Sequence, residues 1–162
     1  MPTAGSIRDC VPAQSGCYVL VLLLQQRHQL TVGRRAPGEF PPGHYLYVGS
    51  AFGPGGLRAR LDRHVSGSRR RHWHVDYLRE VAQPVEVWFQ TQTASREHEW
   101  ADCLSRGREL RPVVGFGVSD CGCLTHLYHS KSLPAHAAFC RRLPRDLASA
   151  FPVQRIRLSP QP

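Results

Sequence analysis

The chain has 162 residues, a formal net charge of +9 and a sequence pI near 9.9. This length suggests one domain that buries enough surface to fold without a disulfide or a metal. Its apolar runs are too short to cross a bilayer, and the positive charge predicts a polyanionic partner, either nucleic acid or an anionic membrane surface.

The first residues, Met1 to Ala13, lack a basic start followed by an apolar core, so no signal peptide is expected and the protein should be cytoplasmic. In that compartment its six cysteines should stay reduced, as core residues or ligands, rather than form a disulfide framework.

The first third of the chain predicts strands joined by short connections. Gly16 to Leu24 is nearly continuously apolar, which is typical of a strand buried on both faces. Gln25 to Gln29 predicts a turn, and Leu30 to Val32 the returning strand of a hairpin. Gly38 to Gly43 is rich in glycine and proline and predicts a loop, after which His44 to Val48 predicts a third strand.

Helices follow these strands. The glycine-rich segment Gly49 to Gly56 predicts a loop before a helix whose apolar residues recur every four positions from Leu57 to Val65. Gly67 to Arg71 predicts a basic, flexible connector, and a second helix is expected from Trp73 to Val81.

The remaining elements are a strand, further helices and a tail. Val85 to Phe89 alternates as a strand, and Ser95 is the expected N-cap of a third helix that ends at Gly107. Leu124 to Tyr128 resembles a short strand. The expected fold class is α/β of the α+β type with a mainly antiparallel sheet, because the short connections argue against a parallel one.

Two regions are expected. Residues 1–130 should form the folded domain, and residues 131–162 a basic, proline-containing extension that is partly helical or flexible. A short helix is predicted near Ala135 to Arg142, followed by a frayed C-terminus.

Glu97 lies on the apolar face of the third predicted helix, since Trp100, Ala101 and Leu104 follow at i+3, i+4 and i+7. A carboxylate on an inward face is costly unless it meets a cation or a metal. Glu97 is therefore either a metal ligand or a partner of the helix dipole and an arginine, and the spacing leaves both open.

Four other side chains offer chemistry. Arg60 either extends its charged head to solvent or stabilises charge on a phosphate. His64, one turn later, could donate a proton or contact the phosphate, although a lone histidine is more often structural. Tyr18 and Tyr47 either pack in the sheet or position a water, which would need a nearby cation because the ordinary pKa of tyrosine is near 10.

Basic and aromatic residues between the first two predicted helices suit a nucleic-acid groove through stacking and phosphate contact. An arrangement with Trp73 and Tyr77 in the core, and with His74 and Asp76 bonded locally, is equally open. The residues expected to contact nucleic acid are Arg58, Arg63, Arg69, Arg70, Arg71, His72 and His74.

The run from Asp120 to Cys123, followed by His126, contains residue types that bind zinc. Structural zinc usually takes four ligands, with paired cysteines two to four residues apart. Here Cys121 and Cys123 are separated by one residue and no second pair is evident. The pattern favours a tight turn with packed thiols over zinc, and a zinc-binding scaffold at Cys121, Cys123 and His126 ranks third among the functions considered.

The order Gly16-Cys17-Tyr18, Tyr47-Val48-Gly49, Arg60 and Glu97 resembles the GIY-YIG nuclease superfamily. One branch, classified as a domain of unknown function and sometimes fused to endonuclease III-like glycosylases, is similar in more detail, with Cys17 replacing the usual isoleucine. The blocks that carry this similarity are Gly43 to Ala51, Gly55 to Arg60, His64, His72 to Leu78 and Gly115 to Cys123.

The resemblance implies a three-stranded antiparallel sheet flanked by helices and a metal-dependent endonuclease that hydrolyses phosphodiester bonds in DNA. Tyr18 and Tyr47 would line the site, and one of them would help to activate water. Arg60 would stabilise the phosphate, and Glu97 would bind a single Mg²⁺ or Mn²⁺.

The alternative is a non-catalytic nucleic-acid-binding module that keeps this fold. Several branches of the superfamily carry a separate DNA-binding domain. None is evident here, so DNA targeting is expected to come from the basic surface, the tail or a protein partner.

Overall fold

A computed structural model describes residues 6–34, 37–117 and 122–160 of the chain. The helices are α1 (Ile7–Cys10), α2 (Gly56–Ser66), α3 (His74–Arg79), α4 (Glu97–Ser105), α5 (His136–Arg142) and α6 (Arg145–Ala150). The strands are β1 (Gly16–Leu24), β2 (His28–Leu30), β3 (Gly38–Phe40), β4 (Gly43–Ala51), β5 (Gln83–Thr91), β6 (Arg111–Pro112), β7 (Leu127–Ser130) and β8 (Gln154–Arg157). Within these ranges, none of the helices has the length and apolar character that crossing a bilayer requires.

Six strands form one antiparallel sheet in the order β6-β7-β4-β1-β5-β8, and β2 and β3 pair separately. Helices and sheet together make an α+β fold, as predicted. The expected three-stranded sheet is too small, because β6 and β7 extend it beyond β4 and β8 extends it beyond β5. These added strands have only two to four residues, which is too short for an alternating pattern to reveal them in the sequence.

β1 lies at the centre of the sheet because it is apolar on both faces. Tyr18, Leu20 and Leu22 pack into one core cluster, whereas Cys17 and Val19, which point the opposite way, pack into the other. The predicted burial of this strand on both faces is therefore confirmed.

Helices cover the two faces of the sheet. α2 and α3 add Leu61 and Leu78 to the cluster that contains Tyr18. α4 and α5 add Trp100 and Phe139 to the cluster on the other face. The sheet is thus the middle layer, and residues at one end of it can meet side chains from both helical layers.

The predicted hairpin after β1 is wrong. Leu30 ends β2, which pairs with β3 rather than with β1, and β3 occupies part of the segment predicted as a loop. β1 instead pairs along nine residues with β4, which offers it a long buried partner that the three half-exposed residues of β2 cannot match.

Two boundaries differ from the sequence prediction. Arg96, and not Ser95, occupies the N-cap position of α4, so Glu97 is the first residue of that helix. Where a frayed C-terminus was expected, Gln154–Arg157 forms β8 and pairs with residues 86–89 of β5. Apolar side chains of α5 and α6, such as Phe139 and Leu147, join the core on one face of the sheet.

Candidate active site

The two tyrosine-glycine motifs meet across the centre of the sheet. Tyr18 of β1 lies directly opposite Gly49 of β4, and the rings of Tyr18 and Tyr47 are 6.4 Å apart. A Cβ atom at Gly49 would lie 2.4 Å from the Tyr18 hydroxyl oxygen. Only glycine at this position leaves room for the tyrosine, so the two motifs form one structural unit.

Gly16 allows α2 to approach the same end of the sheet. A Cβ atom there would lie 2.1 Å from the carbonyl oxygen of Gln90 and 2.8 Å from Leu57 Cδ1. Since Leu57 stands in the first turn of α2, this close packing brings the next turns of α2, which carry Arg60 and His64, beside the tyrosines.

His64 is buried against Tyr18. Its Nε2 lies 2.8 Å from the Tyr18 hydroxyl, and its Nδ1 lies 3.9 Å from Oδ1 of Asp76. Burial lowers the pKa of His64 to about 4, so the imidazole is neutral at neutral pH. Because Nδ1 faces a carboxylate, the proton belongs on Nδ1, and Nε2 accepts the hydrogen bond from Tyr18.

Asp76 connects this pair to the start of α3. Its Oδ2 accepts hydrogen bonds from the backbone N–H groups of His72 and Trp73, at 2.7 and 2.9 Å. The sequence analysis left open that Asp76 hydrogen-bonds to nearby residues of the chain, and these two bonds confirm that alternative. The same carboxylate stabilises the first turn of α3 and faces the imidazole of His64.

The guanidinium of Arg60 is held in a fixed position. It donates to the carbonyl oxygen of Ser50 at 3.0 Å and lies 4.1 Å above the ring of Trp73. Burial raises the pKa of Tyr18 well above its ordinary value, and the charge of Arg60 opposes that effect. Arg60 is therefore close enough to the tyrosine hydroxyls to favour negative charge there.

Glu97 is half-buried and stands at the first position of α4. Its carboxylate makes no hydrogen bond or ion pair in the described part of the chain, whereas the preceding Arg96 pairs with Glu99 and Asp146. Burial raises the pKa of Tyr47, and the charge of Glu97 adds to the increase. Among the described residues Glu97 thus forms no salt bridge with an arginine, and its carboxylate is close enough to Tyr47 to raise the pKa of that phenol.

This carboxylate fits a divalent cation of the Mg²⁺ type. Mg²⁺ keeps several waters and is usually held by one or two carboxylates together with substrate phosphates. A single half-buried carboxylate that is unpaired among the described residues meets that requirement if a phosphate held by the Arg60 guanidinium completes the ion's ligands.

The predicted nucleic-acid contacts divide into two groups. In the first group, each side chain already has a partner within the chain. Arg58 donates to the carbonyl oxygen of Val11, Arg63 to that of Arg70, and Arg71 to the carboxylate of Glu80. Nδ1 of His74 accepts the N–H of Gly117. Three side chains, those of Arg69, Arg70 and His72, are exposed and form no hydrogen bond or ion pair across the described ranges. They lie in the connector between α2 and α3.

Part of the sequence-predicted zinc set can be located. Asp120 and Cys121 lie outside the described residues. Cys123 and His126 lie near His98, a residue that sequence analysis missed, and the three offer ligand atoms within 4.8 Å of one another. No spacing rule connects His98 on α4 with a loop 25 residues later.

A cavity of about 470 Å³ lies elsewhere, with Gln92, Arg96, Asp146 and Phe151 among its lining residues. It includes none of the predicted catalytic residues.

A known family matches most of the chain. The model of the family described as "Domain of unknown function DUF123" matches residues 17–149, which include every predicted catalytic residue. No curated protein and no solved structure matches the chain.

Proposed function

The chain belongs to DUF123, a GIY-YIG-like family of unknown function, and we propose that it is a metal-dependent endonuclease that hydrolyses phosphodiester bonds in DNA. One observation carries the proposal. A fixed guanidinium and a tyrosine bonded to a neutral imidazole lie at one end of the sheet, and the charge of the Glu97 carboxylate, from a distant part of the chain, acts on both tyrosines there.

Arg60 is the group proposed to hold the scissile phosphate. Its contacts with Ser50 and Trp73 fix the plane of the guanidinium before substrate arrives, so little side-chain entropy is lost on binding. A cation held in place also stabilises negative charge that grows on the phosphate during hydrolysis. Arg69 and Arg70, exposed in the nearby connector, would contact the DNA backbone on either side.

Tyr18 and His64 are proposed to remove the proton from the attacking water. Tyr18 is protonated at neutral pH, as any tyrosine with the ordinary pKa near 10 would be, and burial raises its pKa further. Its hydroxyl donates to the neutral Nε2 of His64, so the phenol can pass its proton to the imidazole while its oxygen accepts a proton from water. The imidazolium that results would be stabilised by Asp76, 3.9 Å from Nδ1.

Glu97 would hold a single Mg²⁺ or Mn²⁺. When bound, that ion supplies a Lewis acid that polarises the phosphate and stabilises the departing 3′ oxygen. The unpaired state of the Glu97 carboxylate supports this assignment, since a carboxylate engaged by an arginine would have to release its partner first.

A non-catalytic DNA-binding module is the second candidate. The observation that favours it is the burial of Tyr18 and Tyr47, which are 1% and 7% exposed and offer little phenol surface to water. This candidate predicts salt-sensitive DNA binding without cleavage under any divalent ion.

Cleavage of supercoiled plasmid, with and without Mg²⁺ or Mn²⁺, tests the proposal. We expect metal-dependent cutting that is lost in Glu97→Gln and in Arg60→Ala and kept in the control Glu99→Gln. DNA binding by Glu97→Gln should persist. Cutting that survives both Glu97→Gln and Arg60→Ala would contradict the proposed site, and binding without cutting by the unaltered chain would favour the second candidate.

A further inference from the structure

Three metal-ligating side chains meet beside α4. His98 extends from the first turn of that helix, and Cys123 and His126 come from the segment that leads into β7. Nδ1 of His98 lies 2.8 Å from Sγ of Cys123, and the rings of His98 and His126 are 5.8 Å apart. From this geometry we propose that His98, Cys123 and His126 bind one Zn²⁺ ion.

The chemical types of the three donor groups favour zinc over magnesium. One thiolate and two imidazoles are ligands of the nitrogen and sulfur type that zinc takes, whereas Mg²⁺ prefers oxygen. Zinc bonds of about 2.0 to 2.3 Å hold donor atoms roughly 3.5 Å apart. Since the three donors already lie within 4.8 Å of one another, side-chain shifts of about 1 Å bring them to that spacing.

The backbone on both sides of the cluster is anchored. The N–H of His126 donates to Phe116 O at 2.9 Å, and its carbonyl oxygen accepts the N–H of Val48 at 2.9 Å. His126 is thus tied to the sheet, and His98 is part of a regular helix. Two of the three ligands come from rigid elements, which favours a preorganised site.

The position of the cluster suggests its role. His98 follows Glu97 directly, so a zinc ion would join the first turn of α4 to the segment before β7 next to the unpaired carboxylate. With these three ligands and a water in the fourth position, zinc at this place would also cross-link the start of α4 to that segment. Zinc binding itself does not depend on nuclease activity, because the three ligands are not the groups proposed to act on DNA.

A second cysteine-histidine pair provides a matched control. Sγ of Cys140 lies 3.5 Å from Nε2 of His136, both on α5, and no third ligand joins them in the described part of the molecule. Two ligands of this kind do not make a stable zinc site.

Zinc content of the purified full chain tests the proposal. After addition of Zn²⁺ and removal of excess, elemental analysis and native mass spectrometry should give one zinc per chain. Co²⁺ added in its place should produce a thiolate-to-cobalt charge-transfer band. Affinity for Zn²⁺ should fall by more than about 100-fold in His98→Ala and in Cys123→Ser, beyond the loss expected when only an outer residue is changed. Cys140→Ser should keep the metal.

His98 is exposed, so His98→Ala should fold normally, and circular dichroism will verify this. The proposal is overturned if the unaltered chain binds neither Zn²⁺ nor Co²⁺, or if either His98→Ala or Cys123→Ser retains full affinity. It is also overturned if Cys121→Ser loses the metal while Cys123→Ser keeps it, because the thiolate would then belong to the other cysteine.

Discussion

Gly49 stands directly opposite Tyr18 in the β1–β4 pair, and the space that a side chain at Gly49 would fill is occupied by the Tyr18 hydroxyl. The tyrosine reaches His64 through that space. The glycine of one motif therefore determines where the tyrosine of the other can place its hydroxyl.

Gly49→Ala should displace Tyr18 and break its hydrogen bond to His64. The expected result is a loss of about 1–3 kcal/mol in the free energy of unfolding, because overpacking a rigid core is destabilising, and a strong loss of cleavage. The matched control is Gly53→Ala, in the loop after β4, where an added Cβ meets nothing within 4 Å in the described structure. Urea denaturation and plasmid cleavage measure the two effects, and equal behaviour of both variants would contradict the role of Gly49.

Arg60→Lys should keep the charge but lose the planar contact with Trp73 and the fixed bond to Ser50. We expect the cleavage rate at saturating DNA to fall by about 10- to 100-fold, since lysine cannot reproduce a preorganised guanidinium. Arg145→Lys, at an exposed position on α6, should leave the rate unchanged. A full rate in Arg60→Lys would mean that charge alone is needed at this position.

Stability should fall on acidification because of His64. Burial lowers its pKa from 6.5 to about 4, so between these values the unfolded chain binds more protons than the folded chain. The free energy of unfolding should therefore decrease as the pH falls from 6.5 towards 4, with a contribution from His64 on the order of 3 kcal/mol.

Urea denaturation at several pH values measures this decrease. His64→Gln removes the titrating group and should show a smaller decrease over the same range. The control His72→Gln, at an exposed position, should follow the unaltered chain. A pH dependence that His64→Gln leaves unchanged would argue against a buried neutral imidazole.

Arg69→Ala and Arg70→Ala should weaken DNA binding equally for different sequences. If each arginine contacts a phosphate, each substitution should reduce the slope of log affinity against log salt by about 0.9. Arg145→Ala is the control, because this arginine is on the helical layer that covers the other face of the sheet. Unchanged slopes in Arg69→Ala and Arg70→Ala would place the DNA on another surface.

The central elements of the fold could be predicted from the sequence because their patterns are long. β1 has the predicted bounds, and α2 and β5 differ from prediction only at their ends. The pairing of β2 with β3 and the addition of β8 could not be predicted. These strands have three or four residues, and their partners are chosen by tertiary packing rather than by local pattern.

In the candidate site, too, some features could be predicted from the sequence and others could not. The helical spacing around Glu97 predicted an inward-facing carboxylate, and the structure leaves that carboxylate half-buried and unpaired among the described residues. The role of Asp76 opposite His64, and the approach of His98 to Cys123, could not be predicted, because each depends on how two separate elements meet. Residue spacing along one helix contains no information about such contacts.

The bond from Gly117 N–H to Nδ1 of His74 has a consequence for engineering. Gly117 has φ of +72°, a conformation that favours glycine, and it presents its N–H to a histidine 43 positions earlier. Chimeras between family members should therefore exchange the segments around both residues together. A chimera that exchanges only one of the two segments would pair a histidine and a glycine from different proteins, and the hydrogen bond between them would be lost wherever the two segments differ in shape.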